Sequence, residues 1–505
     1  MGKGLSKSRY TISCKCQKAL WLKVNKPELG IEKAADAFIE GNEVGDLAMG
    51  LFGPYVDVTV YAGGNLDLQS MIQRTNDCLK NGTENICEAS FSFNDTVMHY
   101  CAVDILRKNG DGYDIYEVKS STCDPNDKDT ENALRKYTID IAYQKWVLEK
   151  CGIKVKDCYL VRLSKLFVRN GAVNIKDLFH ITSMNAYVSN ELPNIENNVK
   201  QAFDTLASTT EPNVAIGPHC KTPYECAFKE YCFKDVPSPS VLNLYGKFDK
   251  WKLWNSGKKV YSDLDGSDLG NDGKEKNIRL LQVGGQRSIN KNGISVFLKK
   301  VTYPLYYLDF ETMKFAVPPY DGLKPYQQIP FQYSLHIQEK EGGVVIHKEF
   351  LAESGTDPRK ALAEQLCKDI PQEDICVLVY NDTFEKNRLK ELADTFPNLK
   401  VHLLHIDNHI VDLYEPFGNG YFYLPQMGGS FSIKSVLPAL FPNDPSLDYH
   451  NLSGCVKNGG DAMDIFPKIK DMREPEKTQT REALLKYCEL DTWAMVKIVE
   501  TLYKV

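Results

Sequence analysis

HYCAVDILRKNGDGYDIYEVKSS, residues 99–121, reads as two β-strands joined by a turn at residues 109–112. Strand residues alternate sides, so Glu117 and Lys119, two apart, point the same way. Closing the hairpin sets Asp104 beside them. Two carboxylates can hold a divalent metal, and one ammonium can orient water and steady a charged phosphate, which is what phosphodiester hydrolysis needs. The same pattern also fits an exposed hairpin face carrying an ion pair. The segments around it decide between the two.

Downstream, DIAYQKWVLEKCG places Tyr143 and Gln144 on a helix expected over residues 130–150. Together with Asp104, Glu117 and Lys119 this resembles the PD-(D/E)xK nucleases, and within them the RecB-like branch, whose Q/Y motif follows the core in the same order. EGNEVGDLA resembles the opening helix of that branch, with Gly45 where many members carry a metal-binding histidine and Glu43 and Glu88 as substitutes. The resemblance implies a restriction-endonuclease-like α/β domain, with Asp104 and Glu117 on magnesium or manganese and Lys119 and Gln144 as catalytic partners.

Cys220, Cys226 and Cys232 recur at six-residue intervals in GPHCKTPYECAFKEYCF, a polar and aromatic stretch without an apolar helical face. Three thiols on one short loop point to a metal, and the paired CxxC spacing usual for zinc is absent. RecB-like nucleases of the AddB and CRISPR-adaptation type carry one cysteine before the nuclease fold and three after it, binding a 4Fe-4S cluster. The resemblance assigns Cys16, just ahead of KALWL, as the first ligand, with Cys14 as its rival and His219 able to replace one thiol. Such a cluster would clamp residue 16 to residue 220 and act structurally.

The second half carries another constellation. YPLYYLDFET ends a buried strand with Asp309 and Glu311 on one face. YNDTFEKNRLKEL puts Asn381 and Glu385 at a strand-to-helix junction, and LLKYCELDTWAMVKIVETL is an amphipathic helix with Tyr487 and Asp491 four apart on one face. The order resembles the DEDD exonucleases of the DnaQ-like superfamily, in the subtype whose last motif is Tyr-x-x-x-Asp. That implies a 3'-to-5' exonuclease whose carboxylates, Asp309, Glu311, Glu385 and Asp491, bind two divalent ions, with Tyr487 catalytic. Asp382 and Asp412 are alternatives to Glu385. The half as a whole, including GGSFSIKSVLPALFP, also resembles an uncharacterised bacterial domain family.

The rest of the chain sets the frame. In 505 residues, 43% hydrophobic and 25% charged, there is room for more than one core. VPSPS at residues 236–240 marks a domain edge, and the polar SDLDGSDLGNDGKE at residues 262–275 a surface loop. That loop fails as an EF-hand, because Asp268 and Lys274 stand where Gly and Glu are required. The expected organisation is α/β throughout: a RecB-like domain over residues 1–235, a small helical connector over 236–298, and a mixed-sheet ribonuclease H-like domain over 299–505. In the last, three strands followed by alternating helix and strand suit that fold.

Fifteen cysteines without a secretory signal argue for reduced thiols or ligands over disulfides. No run approaches the ~18 apolar residues of a membrane span, and the expected location is cytoplasmic. The net charge of −6 does not announce a nucleic-acid binder, but Lys3, Lys7, Arg9, Lys15, Lys18, Lys23 and Lys26, all ahead of Glu28, could line part of a groove. The expected partner is nucleic acid, DNA ahead of RNA. The rivals are a binding adaptor with one inactive nuclease fold and an RNA-processing exonuclease.

Overall fold

The computed structural model describes residues 4–31, 35–127, 131–283 and 286–505. The chain is a mixed α/β protein that divides into two compact units, one of residues 1–235 with Phe315–Tyr326, the other of residues 236–314 with 327–505. Residues 236–298, read from sequence as a separate connector, belong to the second unit. Among the described residues no helix is long and apolar enough to cross a membrane.

The first unit is built on a seven-stranded mixed sheet. Its strands are β1 (Leu5–Ser6), β2 (Val56–Asp57), β3 (Asn85–Asn94), β4 (Met98–Asn109), β5 (Gly112–Cys123), β6 (Val155–Ser164) and β7 (Phe179–Ser183). They run in the order β2-β3-β4-β5-β6-β7, with β1 pairing parallel to β4. The expected hairpin is β4–β5, paired antiparallel through Ile105 and Tyr116 and closed at Gly110 and Asp111, where Gly110 takes a positive φ of 59°.

Alternation along β5 sends Ile115 to one core, with Tyr137, Ile141 and Trp146 of α4 (Glu131–Lys150), and sends Tyr116 and Val118 to another, with Val44 and Ala48 of α3 (Ala35–Met49). Helices α1 (Lys7–Lys15), α2 (Gln17–Asn25) and α5 (Asn185–Ala207) complete the α4 side. The excursion at residues 315–326 joins the other face through buried Ala316, and Arg169 N donates to Leu323 O at 2.9 Å.

The second unit holds a five-stranded sheet in the order β10-β9-β8-β11-β12. These are β8 (Leu305–Met313), β9 (Ile329–Gln338), β10 (Val345–Leu351), β11 (Cys376–Val379) and β12 (Ile410–Asp412). The first three pair antiparallel, while β11 and β12 run parallel to β8.

Leu308 and Phe310 face a core with residues of α6 (Arg359–Asp369), α7 (Thr383–Thr395) and α8 (Lys400–Asn408). By alternation Asp309 and Glu311 face the opposite side, where the long α10 (Glu476–Tyr503) packs on β8 and β9. Short α9 (Ile433–Leu440) also packs on α10.

Candidate functional site

In the first unit the hairpin places Asp104 against Glu117 and Lys119 as its register requires: Val118 N donates to Asp104 Oδ2 at 2.6 Å. Glu117 is completely buried and heavily engaged. It accepts from Gln144 Nε2 at 2.6 Å, from Lys7 Nζ at 3.2 Å, and from Lys119. Lys119 and Lys7 also reach Asp140, at 3.2 and 3.7 Å.

Burial alone would raise the Glu117 carboxyl, but Lys119 and Lys7 outweigh it and hold it well below the usual range. Asp104, half-buried, is pushed up to about 6 by desolvation and by the facing Glu117 charge. Glu88, half-buried and close to Asp104, is pushed up to about 7, and it sits in β3 at φ 55°. Glu43 is exposed on α3. Tyr143 is a packing residue: it donates to Leu5 O at 2.7 Å, holding β1, and stacks on Tyr10.

The four proposed cysteines meet. Cys16, Cys220, Cys226 and Cys232 line one cavity together with His219. Cys16 breaks the chain between α1 and α2 with an extended backbone, so it stands at the α2 N-terminus, where the backbone groups of Ala19 and Lys18 partly offset the effect of burial on its thiol. Burial and the neighbouring thiols raise Cys16, Cys220 and Cys232 above the ordinary value. Cys14 packs instead into the main core beside Tyr10.

The second unit gathers all four of its carboxylates. Asp309 is raised by burial and then by Asp491, Glu311 and Glu385; Glu311 is pushed up to about 8 by burial and by Asp491. Glu385, raised to about 8 chiefly by burial, leaves Oε2 buried without a partner. The alternatives are otherwise occupied: Asp412 Oδ1 caps Asn381 N at 2.8 Å and Tyr414 N at 2.9 Å, and Asp382 pairs with Lys386.

Tyr449 donates to Asp491 Oδ1 at 2.6 Å, and Lys434 Nζ donates to the Tyr487 hydroxyl at 2.9 Å. Cys488 Sγ lies 3.8 Å from Asp309 Oδ2. Four crowded acids, with Lys434 beside Glu311 and Arg388 beside Glu385, form a site whose charge a divalent cation would balance.

This crowding has a pH signature. Glu311 and Glu385 move from 4.5 to about 8 on folding, so across that interval the folded protein binds more protons than the unfolded chain. Without a cation, stability should fall as pH rises through the window. In chelator, the melting temperature is expected to drop by several degrees between about pH 5.5 and about pH 8.5. Manganese should restore it at the higher pH and do little at the lower, and Glu311→Gln should flatten the slope. A melting temperature that climbs with pH in chelator would contradict this electrostatic picture.

Sequence reading missed Asp140, Lys434 and Tyr449, and offered Lys7 only as one of seven basic residues of a groove. Asp140 had a usable signal, standing four residues before Gln144 and hence on the same helical face. Lys434, the sole basic residue in GGSFSIKSVLPALFP, had a weaker one.

A family model described as a domain of unknown function (DUF2779) matches residues 306–432, a stretch that holds Asp309, Glu311 and Glu385 and ends before Tyr487 and Asp491. The chain is 26% identical over 242 residues to an uncharacterised protein of Ureaplasma parvum serovar 3, covering 43% of this chain and 34% of that relative. It is 28% identical over 293 residues to an uncharacterised protein of Mycoplasma pneumoniae, covering 51% of this chain and 43% of that relative. The matched stretches thus span less than half the length of these curated relatives. Similarity ties the chain to proteins described only as uncharacterised.

Proposed function

We propose that the chain is a metal-dependent nuclease that hydrolyses phosphodiester bonds of nucleic acid, DNA ahead of RNA. On this reading it has a RecB-like site in the first unit and a DnaQ-like 3'-to-5' exonuclease site in the second. The observation that carries the proposal is the convergence of Asp309, Glu311, Glu385 and Asp491, from the single strand β8 and two helices, on one cluster with an unpartnered buried oxygen. The β10-β9-β8-β11-β12 order, antiparallel then parallel, supports a ribonuclease H-like fold for that unit.

The hard oxygen donors of this cluster suit magnesium or manganese, which would polarise the phosphate and lower the pKa of an attacking water. The chain's own groups do the rest. Tyr487, held by Lys434 and kept neutral by burial and the surrounding acids, orients water. The water oxygen bonds to phosphorus, the bond to the 3' oxygen of the preceding nucleotide breaks, and that oxygen leaves with a proton. In the first unit Lys119 and Lys7 would steady phosphate charge, while Gln144 fixes Glu117, which with Asp104 would hold a cation. The cysteine-lined cavity suits a structural 4Fe-4S cluster held by Cys16, Cys220, Cys226 and Cys232.

A second reading, an adaptor with an inactive first site, has one observation behind it: Glu117 is already taken by Lys7, Lys119 and Gln144. End-labelled single- and double-stranded DNA and RNA, digested with and without magnesium or manganese, test the proposal and distinguish the substrates. Asp104→Ala or Lys119→Ala should remove one activity while changing affinity for nucleic acid by no more than about threefold, because these groups act on the transition state. Full activity of both variants on every substrate would assign the hairpin to the adaptor reading.

A further inference from the structure

The second unit carries another set of ligand-type side chains, outside the carboxylate cluster. His336 of β9 and His347 of β10 stand opposite each other in register, with rings stacked 4.5 Å apart. Glu489 of α10 meets them, and one donor atom from each of the three lies within 4.8 Å of the others. A second observation concerns the far side of both rings. His336 Nδ1 is bonded to Thr492 Oγ1 at 2.8 Å and His347 Nε2 to Ser334 Oγ at 3.0 Å, while the two hydroxyls bond each other at 2.7 Å.

This hydroxyl pair fixes the orientation of both imidazoles, as outer partners do for metal-binding histidines. It leaves His336 Nε2 and His347 Nδ1 as the ligand nitrogens, the latter 3.9 Å from Glu489 Oε1. His336 and Glu489 also line a cavity of about 480 Å³ with Asn451, Ser453, Lys486 and Trp493, large enough for water or a further group beside an ion.

We propose that His336, His347 and Glu489 bind a borderline divalent ion of the zinc class, with its fourth position open to this cavity. Two imidazole nitrogens and one carboxylate oxygen favour zinc, cobalt or nickel over magnesium, which separates this site from the all-oxygen cluster. The ion bridges β9, edge strand β10 and α10, and so ties the sheet to the helix that carries Tyr487 and Asp491.

The test uses the full chain, stripped with chelator and held in excess magnesium, titrated with zinc and with cobalt. Sites elsewhere, the cysteine cavity included, are common to all variants and cancel in the comparison. Wild type should take up about one equivalent more than His347→Gln or Glu489→Gln, and zinc should raise the melting temperature of wild type alone. Ser334→Ala, which keeps all three ligands, should bind about 10- to 100-fold more weakly. Glu489 is exposed, so its variant retains a folded comparison if His347→Gln does not. Equal stoichiometry and affinity across wild type and the folded variants would overturn the site and leave the two histidines as a hydrogen-bonded rivet.

Discussion

Asp309→Ala is expected to abolish cation-dependent release of mononucleotides from a 3' end, by at least about 1,000-fold, or roughly 4 kcal/mol of transition-state stabilisation. Asp309 lies where the fields of Asp491, Glu311 and Glu385 overlap. Removing it takes away a carboxylate at the centre of the proposed cation site, and no neighbour can replace it, since Cys488 offers a soft donor to a hard ion. Tyr487→Phe should cost far less, on the order of 10- to 100-fold, because it loses only the orienting hydroxyl. The loss should therefore be graded. Equal losses in the two variants, or a fully active Asp309→Ala protein, would show that the cluster does not hold the working cation.

Cys226→Ser should have the largest effect on stability. Protein purified without oxygen is expected to be brown with about four irons per chain, and the variant should lose both iron and colour. Cys16 and the Cys220–Cys232 segment are distant in sequence, so a shared cluster closes a very long loop. By analogy with a crosslink of that span, its loss should cost roughly 3–5 kcal/mol, about 10 °C in melting temperature. Iron-free protein whose zinc content falls on replacing Cys226 would establish a zinc site in place of the cluster.

The parts legible in the sequence were those set by local rules. Residues 99–121 alternate in polarity around an Asn-Gly-Asp-Gly turn, and the β4–β5 hairpin follows with Asp104 beside Glu117. Asp309 and Glu311 alternate with core residues Leu308 and Phe310, and Tyr487 and Asp491 share a face of α10 for the same periodic reason. Strands β3, β6 and β7 went unread, although VKDCYLVRLS carries the β-branched and apolar residues of a buried strand.

What stayed hidden depends on contacts between distant segments. Lys7 reaches Glu117 across 110 positions, and nothing local distinguishes it from the other N-terminal lysines. Tyr449 meets Asp491 from a stretch without periodicity. The Pro- and Gly-rich residues 315–326 look like an ordinary surface loop, and only tertiary packing places them with the first unit. Resemblance alone put Cys16 ahead of Cys14, and the fold supplies a physical reason: the break between α1 and α2 turns one sulfur to the cavity and leaves the other in the core.

The most direct measurement is digestion of end-labelled single-stranded DNA and RNA by the full chain, with manganese or with chelator, beside an Asp104→Ala/Asp309→Ala double variant. The account predicts cutting by wild type that requires the cation and falls at least about 1,000-fold in the double variant, with unchanged circular dichroism. A folded, cation-binding wild type that cuts neither polymer, or a double variant that cuts as well as wild type, would contradict it.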